Sequence, residues 1–234
     1  MTKEKNAVIV FAKAPVPGRV KTRLCPPLSP AQAAGLYRAF ILDTLEASGG
    51  VLSAELHVAY DSNGSSTNPE WLRDREPVKH FDQEGGDLGE RLIHAFGRTF
   101  SEGAQKIVVI GSDTPQITSA LIEQAIAGLD RSDVVFGPAE DGGYYLVALK
   151  KPRPELFRKI PWSTAETLAA TLRQAHSSGL KSQLLPSLPD MDTFADVAGL
   201  ARTLRLKPRN VCPVTRSALK TLISKEIFDE SSSL

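Results

Sequence analysis

The chain has 234 residues, 41% of them apolar, and its 28 lysines and arginines against 27 aspartates and glutamates give a formal net charge of +1. That size and apolar content suffice for a full hydrophobic core without disulfide or metal staples, and the balanced charge creates no global field to attract nucleic acid or an anionic membrane. Cys25 and Cys212 lie far apart without CxxC spacing or a neighbouring histidine, which argues against a zinc ribbon and a secreted disulfide scaffold and makes a reducing cytoplasm the simplest compartment.

The amino-terminal stretch "MTKEKNAVIVFAK" keeps its apolar run to about six residues, too short for a signal segment or a membrane span. Within it, "AVIVFA" (7–12) is the first expected strand. A helix follows from Pro30 to Ala47, with Ala33, Leu36, Tyr37, Phe40, Ile41 and Leu45 in helical period and Ser29 as its N-cap. "AELHVAY" (54–60) and "PVKHF" (77–81) read as strands, and Leu88, Leu92, Ile93, Phe96 and Phe100 share one face of the next helix. "KIVVIG" (106–111), "DVVFG" (133–137) and "YYLVAL" (144–149) are further strands. A last helix is expected over about Ser217 to Phe228, before a polar, frayed "FDESSSL" end. Without internal repeat or long linker, the chain reads as one domain over 1–234, with its core over about 7–206 and a helix and tail in 207–234. Short apolar strands alternating with helices predict a three-layer α/β/α sandwich around a mainly parallel, mixed sheet. In such sheets ligands lie beyond the carboxyl ends of the strands, so the loops there are the places to search.

The first of these loops, "KAPVPGRVKTRL", carries Lys13, Arg19, Lys21 and Arg23, with Pro15, Pro17 and Gly18 holding it open and letting it bend. Cations beside exposed backbone N–H groups suit a polyphosphate; a solvated basic loop is the competing explanation. "GRVKT" is not a Walker A loop, because Val20 stands where glycine is required. In "DQEGGDLGERL", Gly85 and Gly86 permit close backbone approach and Asp87 can cap the helix from Leu88; the turn serves either as a cap alone or also as part of a base or ribose site. "SDTPQIT" sets Asp113 at a strand end, where it is also good turn chemistry. In "LPDMDTFADVAGL" the two-residue spacing of Asp190 and Asp192 turns both carboxylates to one side of an extended segment. Their repulsion calls for a cation, and Mg²⁺ shared among Asp113, Asp190 and Asp192 would answer it; helix capping by Asp192 is the rival. "EDGGYY" is explained in part by a hairpin turn, but its second glycine leaves Asp141, Gly142, Gly143 and Tyr144 as a candidate pocket for a second substrate, closed over by Trp162 and Ser163. The four histidines are scattered and make no metal spacing.

Taken in order, the "KTRL" loop, "GGDLGERL", "GSDTP", "DGGYYLVAL" and "DMDT" resemble the nucleotide-diphospho-sugar transferase (GT-A, or nucleotidyltransferase-like) superfamily over about Val8 to Leu200. The closest branch is a bacterial family of uncharacterised glycosyltransferase-like proteins; the 2-phospholactate and phosphoenolpyruvate guanylyltransferases are similar in four of the motifs. The resemblance implies a GT-A fold. It puts Lys21 and Arg23 on the phosphates with Asp113 as catalytic groups, and Gly86 and Asp87 along the nucleotide pocket, to which the loops themselves add Lys13, Gly18, Arg19 and Gly85. It also puts Mg²⁺ or Mn²⁺ on Asp113, Asp190 and Asp192, and the acceptor against Asp141, Gly142 and Gly143, beside which the residues themselves add Tyr144, Trp162 and Ser163. The superfamily's usual "LAGGxGxR" loop is replaced by "FAKAPVPGRVKTR", which leaves the base open. Three functions follow as expectations: nucleotidyl transfer from a nucleoside triphosphate to a small phosphorylated acceptor with pyrophosphate release, glycosyl transfer from a nucleotide sugar, and nucleotide binding without catalysis. Lys21 with Arg23, suited to three phosphates, favours the first. No nucleic-acid or membrane partner is expected, and a homodimer is left open.

Overall fold

The computed structural model describes residues 5–62 and 78–222. Among the described residues seven strands form one sheet in the order β3-β2-β1-β4-β6-β5-β7: β1 (Asn6–Lys13), β2 (Ala54–Asp61), β3 (Lys79–Asp82), β4 (Lys106–Gly111), β5 (Val134–Pro138), β6 (Tyr144–Leu149) and β7 (Ser182–Leu184). All run parallel except β6, which is antiparallel to both its neighbours, β4 and β5. The mainly parallel, mixed sheet expected from the sequence is therefore present.

Side chains alternate along each strand, and the two faces of β1 fill two layers of core. Val8, Val10 and Ala12 face α1 (Pro30–Gly49), α3 (Ser119–Gly128), α5 (Phe194–Leu206) and α6 (Pro213–Leu222). Ala7, Ile9 and Phe11 face α2 (Leu88–Ser101) and α4 (Thr167–Ser177). Strands covered on both faces read as continuous apolar runs, which is why "KIVVIG" and "YYLVAL" were legible. Helix starts follow their capping residues. Ser29 accepts the Gln32 N–H in a reciprocal capping box at α1, and Asp87 accepts the Glu90 N–H at 2.8 Å at α2. Among the described residues no helix is long and apolar enough to cross a membrane.

Chain order places the site. The strands step outward from β1 through β2 to β3, and the chain then returns to lay β4 on the opposite side of β1. This reversal opens a crevice at the carboxyl ends of β1 and β4, where Lys13 and Gly111 end their strands.

The last described helix departs from expectation. It begins at Pro213, ahead of Ser217, and its described part ends at Leu222; the remainder of the expected span and the polar end lie outside the described residues. The earlier start is set by a tertiary cap: the buried Asp43 of α1 accepts the N–H groups of Val214 at 3.0 Å and Thr215 at 2.7 Å. Arg216 in turn donates to the Lys207 and Pro208 carbonyls beyond the end of α5. Asp43→Ala should uncap α6 and cost about 1–2 kcal/mol, read as a fall in Tm of roughly 2–8 °C for a chain of this size. An unchanged melting curve would contradict this account of the helix start.

Candidate active site

The crevice opens as a cleft of about 640 Å³, within the range of roughly 300–1,000 Å³ common to small-molecule sites. Its walls come from the loops that follow β1, β3 and β4, together with the start of β6.

The basic loop enters through a turn over Val16–Arg19 closed by Arg19 N–H to Val16 O at 3.0 Å. Pro17 and a left-handed Gly18 (φ +77°) occupy its central positions, the pattern a type II turn requires. Gly18 thus shapes the loop without lining the cleft, whereas Lys13, Arg19, Lys21 and Arg23 all reach the wall. Lys21 adopts φ 46°, ψ 39°, a left-handed conformation that residues with side chains seldom take, immediately before a short 3₁₀ turn over Thr22–Leu24. That backbone bend turns its side chain inward. Its ammonium lies 2.6 Å from Asp113 Oδ1 and 2.9 Å from Asp192 Oδ1, with the side chain only 7% exposed. Burial works most strongly against the charge, but the attraction of Asp113 and then Asp192, with hydrogen bonds to both, outweighs it and raises the Lys21 pKa above the ordinary lysine value. Arg23 stays exposed, 3.6 Å from the other oxygen of Asp192.

The carboxylates are delivered by two segments far apart in sequence. Asp113 follows β4, and its carbonyl accepts the Met191 N–H at 3.1 Å, stitching the two segments together. Thr193, not Asp192, caps α5, in a reciprocal box with Asp196. Capping by Asp192 is thereby replaced, and its carboxylate is available to Lys21. Of the three carboxylates expected around a cation, Asp190 is the one that does not contact Lys21. Despite the two-residue spacing it turns from Lys21 to Thr114, whose hydroxyl donates to Asp190 Oδ1 at 3.0 Å, and lies beside the Asp141 carboxylate. Burial, then the negative charge of Asp141, push its pKa up to about 7. Among the described residues no three His, Cys, Asp or Glu side chains group as a metal site. Two hard carboxylates already held around one cation, the Lys21 ammonium, nevertheless fit Mg²⁺ or Mn²⁺, which need only one or two protein carboxylates beside phosphate and water.

The remaining wall was partly legible. Gly86 and Asp87 line the cleft as expected. Gly85 stands back from it, its carbonyl accepting Arg91 Nε at 3.2 Å. Arg91 also donates to Asp61 at 2.9 Å, while the Gln83 amide donates to Ala59 O at 2.9 Å and Ala12 O at 3.3 Å. Sequence reasoning missed both cleft residues; the cation after Glu90 in "GGDLGERL" was the available signal. Tyr37 was read only as core. Its hydroxyl accepts the Lys13 N–H at 3.1 Å and pairs with Ser112 Oγ at 2.8 Å, clipping together the loops after β1 and β4. Burial, then Asp113, push its pKa to about 12, so it remains a phenol.

The expected second pocket is only half present. Tyr144 and Ser163 line the cleft, and Trp162 stands behind, edge-on to Tyr144 with ring centroids 6.3 Å apart. Asp141, Gly142 and Gly143 do not line it. The glycine pair has a packing reason: Gly142 has φ +90°, and a Cβ there would stand 2.2 Å from Ala165 O. Gly143 N–H donates to Asp141 at 2.8 Å, and Gly142 O accepts from Leu168 N–H. The turn thus seats the start of α4.

Fold and site together define a member of the nucleotide-diphospho-sugar transferase superfamily, a transferase class. The chain belongs to the family described as "Uncharacterized protein conserved in bacteria (DUF2064)", whose model matches residues 44–164, more than half of its length. The crystal structure of a "putative nucleotide-diphospho-sugar transferase" from Desulfovibrio desulfuricans G20 is 34% identical with a TM-score of 0.85, covering 92% of this chain and 94% of that one. At the level of fold alone, CMP:2-keto-3-deoxy-manno-octonic acid synthetase complexed with CTP aligns at TM-score 0.55 and 15% identity, over 87% of this chain and 99% of that one. Rv0371C of Mycobacterium tuberculosis H37Rv, in complex with manganese, aligns at 0.51 and 18%, over 85% and 98%. No curated protein matches the chain.

Because the folded pKa of Asp190 lies above the carboxylate value of 3.8, the native state keeps a proton that the unfolded chain releases. This contribution to stability is full below about pH 4 and is lost as pH rises through about 7. Asp190→Asn mimics the protonated form, so in metal-free buffer it should flatten the stability-versus-pH curve over that window and raise Tm at pH 8 more than at pH 4. Equal Tm changes at both pH values would refute the raised Asp190 pKa.

Proposed function

We propose that the protein catalyses nucleotidyl transfer from a nucleoside triphosphate to a small phosphorylated acceptor, releasing pyrophosphate, with Mg²⁺ or Mn²⁺ held by Asp113 and Asp192. The observation that carries this reading is the convergence of Asp113 and Asp192, from two separate strand-end segments, on one cation position at the mouth of the cleft. In this reading an acceptor phosphate oxygen bonds to the α-phosphorus while the bond to the bridging oxygen of the β-phosphate breaks. The bound metal would supply charge neutralisation on the phosphate oxygens. The exposed Arg23, with Lys13 and Arg19, adds cationic donors along the phosphate track. Gly86 and Asp87 bound the nucleoside, and Tyr144 and Ser163 the acceptor side. No covalent enzyme intermediate is needed, and positioning and electrostatics account for the rate. Cys25 and Cys212 are both unbridged, in keeping with a cytoplasmic setting.

Glycosyl transfer from a nucleotide sugar is the second reading, favoured by the name of the 34% identical relative. The two separate by product. Purified protein with Mg²⁺, each nucleoside triphosphate and a panel of phosphorylated acids and sugars should release pyrophosphate. Release of nucleoside diphosphate from a nucleotide sugar would favour the second reading, and tight nucleotide binding without turnover a non-catalytic one. Asp113→Asn should lower kcat/KM by roughly a hundredfold or more in protein that a cooperative melt shows to be folded, with Tm lowered by the loss of one Lys21 partner; retained turnover would count against the site.

A further inference from the structure

The Lys21 ammonium occupies the position that the preceding reading gives to a divalent ion, and the inference rests on that reading. We infer that Lys21 is an internal competitor for the metal: it holds the Asp113–Asp192 seat in the substrate-free protein and must leave before a divalent cation binds there. Three observations support it. The ammonium contacts both carboxylates at 2.6 and 2.9 Å, so a cation bonded to the same oxygens cannot coexist with it. Its side chain is 7% exposed, whereas Asp113 and Asp192 are 50% and 41% exposed, so the seat is open to solvent and blocked from within. Its backbone lies in the left-handed region just before the 3₁₀ turn, and in the alternative position the freed ammonium would meet the phosphates that enter the cleft.

A competitor lowers apparent metal affinity by the fraction of molecules in which the seat is free. If fewer than about one molecule in ten has it free, the penalty exceeds about tenfold. Nucleotide phosphates, by offering Lys21 another anion, would raise metal affinity, so metal and nucleotide bind with positive coupling.

The test uses the full chain, Mn²⁺ alone and no nucleotide, with free Mn²⁺ read by electron paramagnetic resonance. Lys21→Met should bind Mn²⁺ about tenfold or more tightly than wild type, and Lys21→Met combined with Asp192→Asn should lose the gain. Lys13→Met removes a cation from the same mouth that touches neither carboxylate, and should change affinity by less than about twofold; an equal gain in Lys13→Met would replace competition for the seat with general electrostatics and overturn the inference. Equal Mn²⁺ affinity in wild type and Lys21→Met would overturn the inference and leave the metal reading standing. Absence of Mn²⁺ binding by every variant, with Tm values showing all of them folded, would overturn both.

Discussion

One buried ammonium between two carboxylates organises this molecule's site. A lysine side chain 7% exposed is costly unless its charge is matched, and here it is matched by Asp113 and Asp192, the latter 171 residues away. The ion pair therefore closes a long chain loop at the mouth of the cleft. It is reinforced by neutral bonds between the same segments: Met191 N–H to Asp113 O, Thr114 Oγ1 to Asp190, and the Gln116 amide to Pro189 O. The carboxylates are held in place whether or not Lys21 remains between them.

The scaffold beneath this contact is the switch between β1 and β4. Tyr37 reaches from α1 to the backbone of Lys13 and the hydroxyl of Ser112, so the two strand ends cannot separate without breaking a buried hydrogen bond. At the far end of the chain, the Thr193 and Asp196 capping box fixes the start of α5 and leaves Asp192 one residue outside the helix. Both devices do for the polar residues of the cleft what the apolar layers do for the strands. They set position before any ligand arrives, a requirement for electrostatic catalysis.

Much of this was readable from the chain. Strand identity followed from short apolar runs and helix starts from Ser29 and Asp87, because these are local rules. The five motifs in order gave the superfamily, and Asp113, Asp192, Gly86 and Asp87 all reached the cleft. What was not readable depended on pairing across distance. The two-residue spacing put Asp190 beside Asp192 in sequence but could not foretell that Thr114 and Asp141 would draw its carboxyl away. The glycine pair of "EDGGYY" suggested a ligand because Ala165, the packing partner of Gly142, lies 23 residues downstream. Asp43 capping α6, and Tyr37 serving the site from a helix core position, belong to the same class: one residue with two readings, decided by a tertiary neighbour.

The relation to the 34% identical relative fixes the class, while the chemistry turns on what replaces Lys21 between its carboxylates. A crystal structure of the protein with Mn²⁺ and a non-hydrolysable nucleoside triphosphate analogue tests this most directly. The account predicts an anomalous peak bonded to Asp113 and Asp192, with Lys21 swung onto a phosphate and Asp190 still against Asp141. A peak elsewhere, or Lys21 still bridging the two carboxylates beside bound nucleotide, would contradict it.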